Sequence, residues 1–288
     1  MRLVIDMQGA QTASRDRGIG RYTLSLVRRL IQIAEHHEVI LFINAALREG
    51  ADALIAEFRQ QLPREQIVVF EPMAPLSFSA VGNRARVLAM ETMREAMLVD
   101  LEPDVVLLTS LFEGYNDDAL TSVGAYSNKI ATAVIHYDLI PLAIPEYLSA
   151  ASQAHFFQRK VEHLQSADLL LAISQASCDD AIERLELVAE QVVNIGAAVE
   201  QGFFSDSDSS ALARASHLRL GINRAFVLYV PGGFDSRKNF QRLFEAFSSL
   251  PESVRAEHQL VITGRLDDRR VELQRETAAK YGLSQEEL

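Results

Sequence analysis

Short apolar, β-branched runs alternate with longer amphipathic stretches along the whole chain. The runs at 3–5, 39–43, 67–70, 105–108, 130–135, 169–173 and 192–195 predict strands. Between them, helical patterns cover 21–35, 47–61, 83–101, 147–166 and 175–187. In the first of these, Val27, Leu30, Ile31 and Ala34 fall at i, i+3, i+4 and i+7, one face of a helix. Strands this apolar, separated by helices of this length, predict a parallel sheet covered on both faces. The fold class is α/β, with a doubly wound, Rossmann-like N-terminal domain over 1–200.

The rhythm breaks over 196–216, where Gly202-Phe-Phe-Ser-Asp-Ser-Asp-Ser-Ser210 has the polar, low-complexity composition of a linker or exposed loop. Residues 201–223 are read as that linker. Strand and helix patterns then restart: a strand at 226–230, a helix at 240–250, a strand at 259–263 and a helix at 267–281. The segment 224–288 reads as the opening part of a second Rossmann-like domain. A complete one would need on the order of 100 residues more. A two-stranded parallel sheet leaves faces and edges bare. Phe240, Phe244 and Phe247 must therefore find cover on the first domain or on another copy of the chain, or stay mobile. Association through this tail predicts a homodimer.

Composition narrows the function classes. The chain of 288 residues carries 28 Lys and Arg against 39 Asp and Glu, a formal charge of −11, with no long basic block. That disfavours a nucleic-acid surface while leaving room for a local basic pocket. Cys178 is the only cysteine, so no intrachain disulfide forms and a thiolate-built metal site is not expected. Its expected state is a small apolar side chain on a helix. The start, Met1-Arg-Leu-Val-Ile5, shows no signal-peptide pattern, and no stretch reaches the ~18 apolar residues of a membrane span. A cytoplasmic location is expected, with peripheral contact at the inner face of the cytoplasmic membrane left open.

Three strand-to-helix turns carry candidate chemistry. The first follows the first strand, from Asp6 to Tyr22, and holds Gly18, Gly20 and Arg21. Ligands of open α/β sheets bind at this carboxyl edge. No third glycine completes the dinucleotide fingerprint, which weakens a NAD-dependent oxidoreductase. The alternative is a flexible surface loop whose glycines shape a helix start. The second turn sets His136 and Asp138 ahead of Pro141. There a histidine can bond a sugar hydroxyl or phosphate, with Asp138 orienting the ring, or it merely satisfies loop backbone groups. The third runs from Tyr229 to Phe240 and holds Gly232, Gly233, Arg237 and Lys238 ahead of Asn239, read as an N-cap. Glycines, a helix start and two cations suit a phosphate; a solvated Arg-Lys pair is the alternative. His155 and His163, eight apart, do not have helical zinc spacing and are read as structural.

Gly18-Ile-Gly20-Arg-Tyr22, His136-Tyr-Asp138-Leu-Ile-Pro141, Ile173-Ser-Gln-Ala-Ser177 and Gly232-Gly-Phe-Asp-Ser-Arg-Lys-Asn239 occur in this order. Together they resemble the retaining glycosyltransferases of the GT-B fold, in the large family four group. The first loop is similar to that of bacterial enzymes building cell-surface polysaccharides, often from mannose or rhamnose donors. The resemblance implies two facing Rossmann-like domains with the active site in their cleft. It implies that Lys238 binds the donor diphosphate with Arg237 beside it, that His136 contacts the transferring sugar, and that Gly18 and Gly20 approach the phosphates or the acceptor. The donor would be a nucleotide diphosphate sugar such as GDP-mannose or dTDP-rhamnose, and the acceptor a glycan or lipid-linked glycan. No other cofactor and no metal is implied. Stabilisation of the departing diphosphate would supply much of the catalysis, and retention would follow a front-face displacement.

Two departures stand out. Many members carry an arginine where this chain has Gly233. The paired glutamates of the second domain, spaced E-x7-E, are absent; Glu49, Glu57 and Glu65 share that spacing but lie on a solvated face of the first domain. The 288 residues alone are thus expected to be inactive. A nucleotide-sugar epimerase on the same fold, or an inactive scaffold or partner domain, are the alternatives.

Overall fold

A computed structural model describes residues 1–127, 129–148, 150–199, 217–234, 236–264 and 267–288. The chain forms two compact units, 1–200 and 201–288. Most of the segment read as a linker, through residue 216, lies outside the described residues.

The first unit holds seven parallel strands: β1 (Arg2–Asp6), β2 (Glu38–Asn44), β3 (Ile67–Phe70), β4 (Val105–Leu108), β5 (Thr132–His136), β6 (Leu169–Ala172) and β7 (Val192–Asn194). Their order is β3-β2-β1-β4-β5-β6-β7. Strand order reverses between β1 and β4, which is where a doubly wound sheet opens its ligand crevice. Successive side chains point to opposite faces, and each face builds its own core. Val4, Phe42, Val106 and Val134 join one core; Ile5, Leu41, Leu107 and Ala133 join the other.

Helices α1 (Gly18–Ile33) and α2 (Arg48–Phe58) cover one face, where Val27, Leu54 and Phe58 are buried. Helices α3 (Arg84–Asp100), α5 (Ala151–Gln165) and α6 (Gln175–Leu185) cover the other through Val87, Leu98, Phe157, Leu164 and Leu185. The predicted doubly wound sheet is therefore present. Cys178 is buried on α6.

Three boundaries differ from expectation. The helix predicted from residue 21 starts at Gly18, because two 3-10 turns, Gln8–Ala10 and Ala13–Asp16, deliver the chain early. A short helix that the residue pattern did not predict, α4 (Ile140–Ala143), carries Pro141 in its first turn, where a missing N–H costs no bond. The helix predicted from 147 begins at Ala151, after a 3-10 turn over Pro145–Tyr147.

The second unit pairs β8 (Ala225–Tyr229) in parallel with β9 (His258–Ile262), and adds α7 (Phe240–Ser248), α8 (Glu252–Glu257) and α9 (Asp268–Lys280). The short α8 was not expected. Phe240, Phe244 and Phe247 need no outside cover: they are buried within their own unit against Leu260, Ala278 and Leu283. Other apolar positions stay open, with Leu228 52% and Val230 66% exposed. Among the described residues, no helix is long and apolar enough to cross a membrane.

Candidate functional site

A cavity of about 290 Å³ opens at the carboxyl edge of the first sheet. His136, the last residue of β5, forms part of its wall, with Ile19, Ser110, Tyr115, Asp138 and Phe157 among its other lining residues. Parallel pairing of His136 with Ala172 of β6 fixes its backbone. The residue is 1% exposed and, among the described residues, its Nε2 has no hydrogen-bond partner. His136 lines the cavity, and a buried ring nitrogen without a partner is a group that a hydrogen-bonding ligand or water would satisfy. Burial holds the imidazole below its ordinary pKa, against the opposing charges of Asp138 and Asp180 and the Ser177 backbone. It is therefore neutral near pH 7. Asp138 was expected to orient this ring; its Oδ1 instead accepts the N–H of Ile140 at 3.2 Å.

The turn after β1 is not a flexible surface loop. Met7 through Thr12 are all buried. Asp6 accepts from Arg94 Nε at 2.9 Å, from the Gln8 N–H at 2.9 Å and from Gln8 Nε2. The Gln8 amide oxygen in turn accepts from Asn44 Nδ2 and from the Leu120 N–H. Each buried polar group in this chain of contacts has a partner, the condition under which such networks rigidify a site.

Gly18, Gly20 and Arg21 lie in the first turn of α1 rather than in the preceding loop. Gly18 and Arg21 are exposed and Gly20 is buried. A methyl group on Gly20 would lie 2.3 Å from the Arg15 Cα, so this glycine lets a 3-10 turn press against the helix. Between the two glycines, Ile19 reaches the cavity wall. The structure thereby brings the α1 N-terminus, with its unsatisfied N–H groups, and His136 to one cavity.

Gly232, Gly233, Arg237 and Lys238 belong to the second unit. Gly232 has φ +68, a conformation glycine adopts without strain. Arg237 and Lys238 lie on an intervening 3-10 turn, Ser236–Lys238, before α7 begins. The Tyr229 hydroxyl donates to the Lys238 carbonyl at 2.7 Å and ties this turn to the end of β8. Asn239 precedes the helix but makes no side-chain cap bond; its backbone is left-handed, at φ 51.

Buried charges were missed. Glu91 pairs with Arg159, Arg94 with Asp6, and Lys160 donates to the Thr121 carbonyl and to its hydroxyl at 2.6 Å. Burial lowers the Lys160 pKa to about 8. Glu113, 7% exposed, accepts from Thr12, Ser14 and Ser110. A signal was present: Glu91, Arg94 and Glu95 share the helical stripe of Val87, Met90 and Leu98. His155 stacks on Phe78 and His163 bonds the Val123 backbone. Among the described residues, no group of three or more His, Cys, Asp or Glu is arranged to hold a metal ion.

No protein-family model matches the chain. Over 290 residues, 100% of this chain and 34% of the relative, it is 29% identical to the serotype-specific mannosyltransferase WbdA of Escherichia coli. It thus spans about a third of that relative's length. Among solved structures, Anabaena Alr3699/HepE in complex with UDP matches 98% of this chain and 66% of its own, with TM-score 0.58 and 18% identity. UDP-GlcNAc 2-epimerase from Neisseria meningitidis, bound to UDP-GlcNAc, matches 97% and 70%, with TM-score 0.52 and 13% identity. At these identities the structures speak to fold alone.

Proposed function

We propose that this chain, a bacterial polysaccharide glycosyltransferase of the GT-B type, belongs to an enzyme that moves mannose from GDP-mannose to a growing cell-surface glycan with retention of configuration. The observation that carries the reading is His136: a buried, neutral imidazole with a free Nε2 at a cavity of about 290 Å³, room for a sugar ring. Identity to a mannosyltransferase along the whole chain supports mannose as the sugar. The glycine at φ +68 and the two adjacent cations over Gly232–Lys238 suit a diphosphate, which supports a nucleotide diphosphate sugar as donor.

In this mechanism His136 Nε2 bonds a hydroxyl of the transferring sugar and holds it in the reactive pose. Ile19, in the first turn of α1, lines the same cavity, and a helix N-terminus favours anionic oxygens. Lys238 and Arg237 belong to the second unit; the resemblance assigns them to the donor diphosphate, on whose leaving oxygen negative charge builds as the glycosidic bond breaks. The acceptor hydroxyl attacks the same face of the anomeric carbon, and its proton passes to the departing diphosphate oxygen on that face. The epimerase reading rests on fold likeness alone and is not preferred.

The test is a transfer assay on the natural gene product carrying this sequence, with GDP-mannose and a mannose-terminated oligosaccharide. A longer oligosaccharide with an α-linked mannose is expected. Release of free or epimerised sugar without elongation would overturn the reading. The H136A variant should lose turnover while melting near the parent temperature.

A further inference from the structure

Glu113 sits beyond the end of β4, across the strand-order reversal from the turn after β1. Its carboxyl joins two segments, the turn after β1 and the loop after β4. Oε2 accepts from the Thr12 hydroxyl at 2.8 Å and from Ser14 at 3.4 Å; Oε1 accepts from Ser110 at 2.9 Å. Thr12 is committed twice, since its hydroxyl also accepts the Ser14 N–H and caps the second 3-10 turn. That turn carries Arg15, whose backbone presses on Gly20. Gly20 neighbours Ile19, which lines the cavity, as Ser110 does on the opposite strand end. One buried carboxyl thus ties together two parts of the cavity wall that come from distant segments of sequence. The backbone of residue 113 is tied as well, its carbonyl accepting from Thr121 at 3.4 Å.

We infer that Glu113 is a positioning residue for the transfer reaction, a clasp that fixes the first turn of α1 at the cavity beside His136. The inference rests on the transferase reading above. The carboxyl touches no reacting atom; it acts through Thr12 and Ser14 on α1, and through Ser110 on the β4 end. Its loss should leave the sugar bound but misaligned.

The experiment compares E113A, E113Q and the double variant T12V/S14A in the natural gene product. Turnover is normalised to the folded fraction read by circular dichroism. E113A should lower kcat on the order of 100-fold, the effect of a misplacement of about 1 Å. Its KM for GDP-mannose should stay within about threefold, the signature of a lost alignment rather than lost binding. E113Q keeps an acceptor oxygen and should recover turnover to within roughly fivefold of the parent. T12V/S14A should reproduce the loss and add little to E113A, because both remove one linkage. If E113A does not fold, the double variant carries the comparison. Full kcat in E113A, or in T12V/S14A where that pair must stand in, overturns the clasp. So does E113Q as damaged as E113A. If the parent transfers no sugar, the transferase reading fails, and amide exchange at residues 19–22 judges the clasp by itself: faster exchange in E113A than in E113Q supports it, and equal exchange overturns it.

Discussion

The turns after β1 and after β8 share a sequence signature and differ in how they are built. Each follows an apolar strand, contains glycines and basic residues, and leads into an amphipathic helix. The first is buried from Met7 to Thr12 and locked by Asp6, Gln8, Asn44, Arg94 and Glu113. The second exposes Gly232, Ser236, Arg237 and Asn239, and among the described residues a hydroxyl bond from Tyr229 ties it to its strand. Spacing of glycines and cations marks where a turn is; it does not say whether that turn is a rigid wall or an exposed edge. That depends on buried partners from distant segments.

The sharpest way to break the contrast is to cut the first turn's ion pair. R94A leaves the Asp6 carboxylate buried and unpaired and should cost about 3–5 kcal/mol in urea unfolding. A loss below about 1 kcal/mol would mean the turn is not held as described.

A smaller effect separates two glycines of α1. G20A forces a methyl against the Arg15 backbone and should destabilise by about 1–3 kcal/mol. G18A meets open space and should be neutral or gain up to about 1 kcal/mol of helix propensity. Equal effects would contradict the close packing of the 3-10 turn.

At the second turn the expectation inverts. K238A should leave stability within about 0.5 kcal/mol. It should weaken GDP-mannose binding roughly 10- to 100-fold, the worth of a charge-assisted phosphate contact. Calorimetric titration beside thermal melting reads both, and a variant that melts early yet binds normally would exchange the roles of the two turns.

The smallest effect is in pH. Burial depresses His136 and His163 in the folded state. As pH falls below the unfolded value near 6.5, the unfolded chain takes up protons first, so stability is lost until the depressed folded values are reached. H136N should flatten part of that acid slope, measured as melting temperature against pH. An unchanged slope would show that the His136 ring titrates as in water.

The sheet was legible because its strands are nearly pure apolar runs. The strands over Ile67–Phe70 and Val105–Leu108 start and stop where their residues predict. Gly18 and Gly20 hid the start of α1, since glycine disfavours a helix on propensity and only the contact with Arg15 reveals why Gly20 is needed there. The three candidate turns were visible, and the structure seats His136 and the α1 N-terminus at one cavity. Glu113 was not visible. Its partners Thr12 and Ser14 lie 101 and 99 residues away, and nothing local distinguishes it from a solvated glutamate.

The long separation within the Asp6–Arg94 pair also has a consequence for synthesis. Arg94 follows Asp6 by 88 residues. At about 5–20 residues per second, the nascent chain carries that carboxylate for roughly 4–18 s before its guanidinium is made. β1 waits longer still for its second neighbour, since Leu3 pairs with Val105. β1, an interior strand of the sheet, therefore leaves the ribosome with one edge and one charge unmatched. Until β4 emerges, β1 has a free edge open to mispairing.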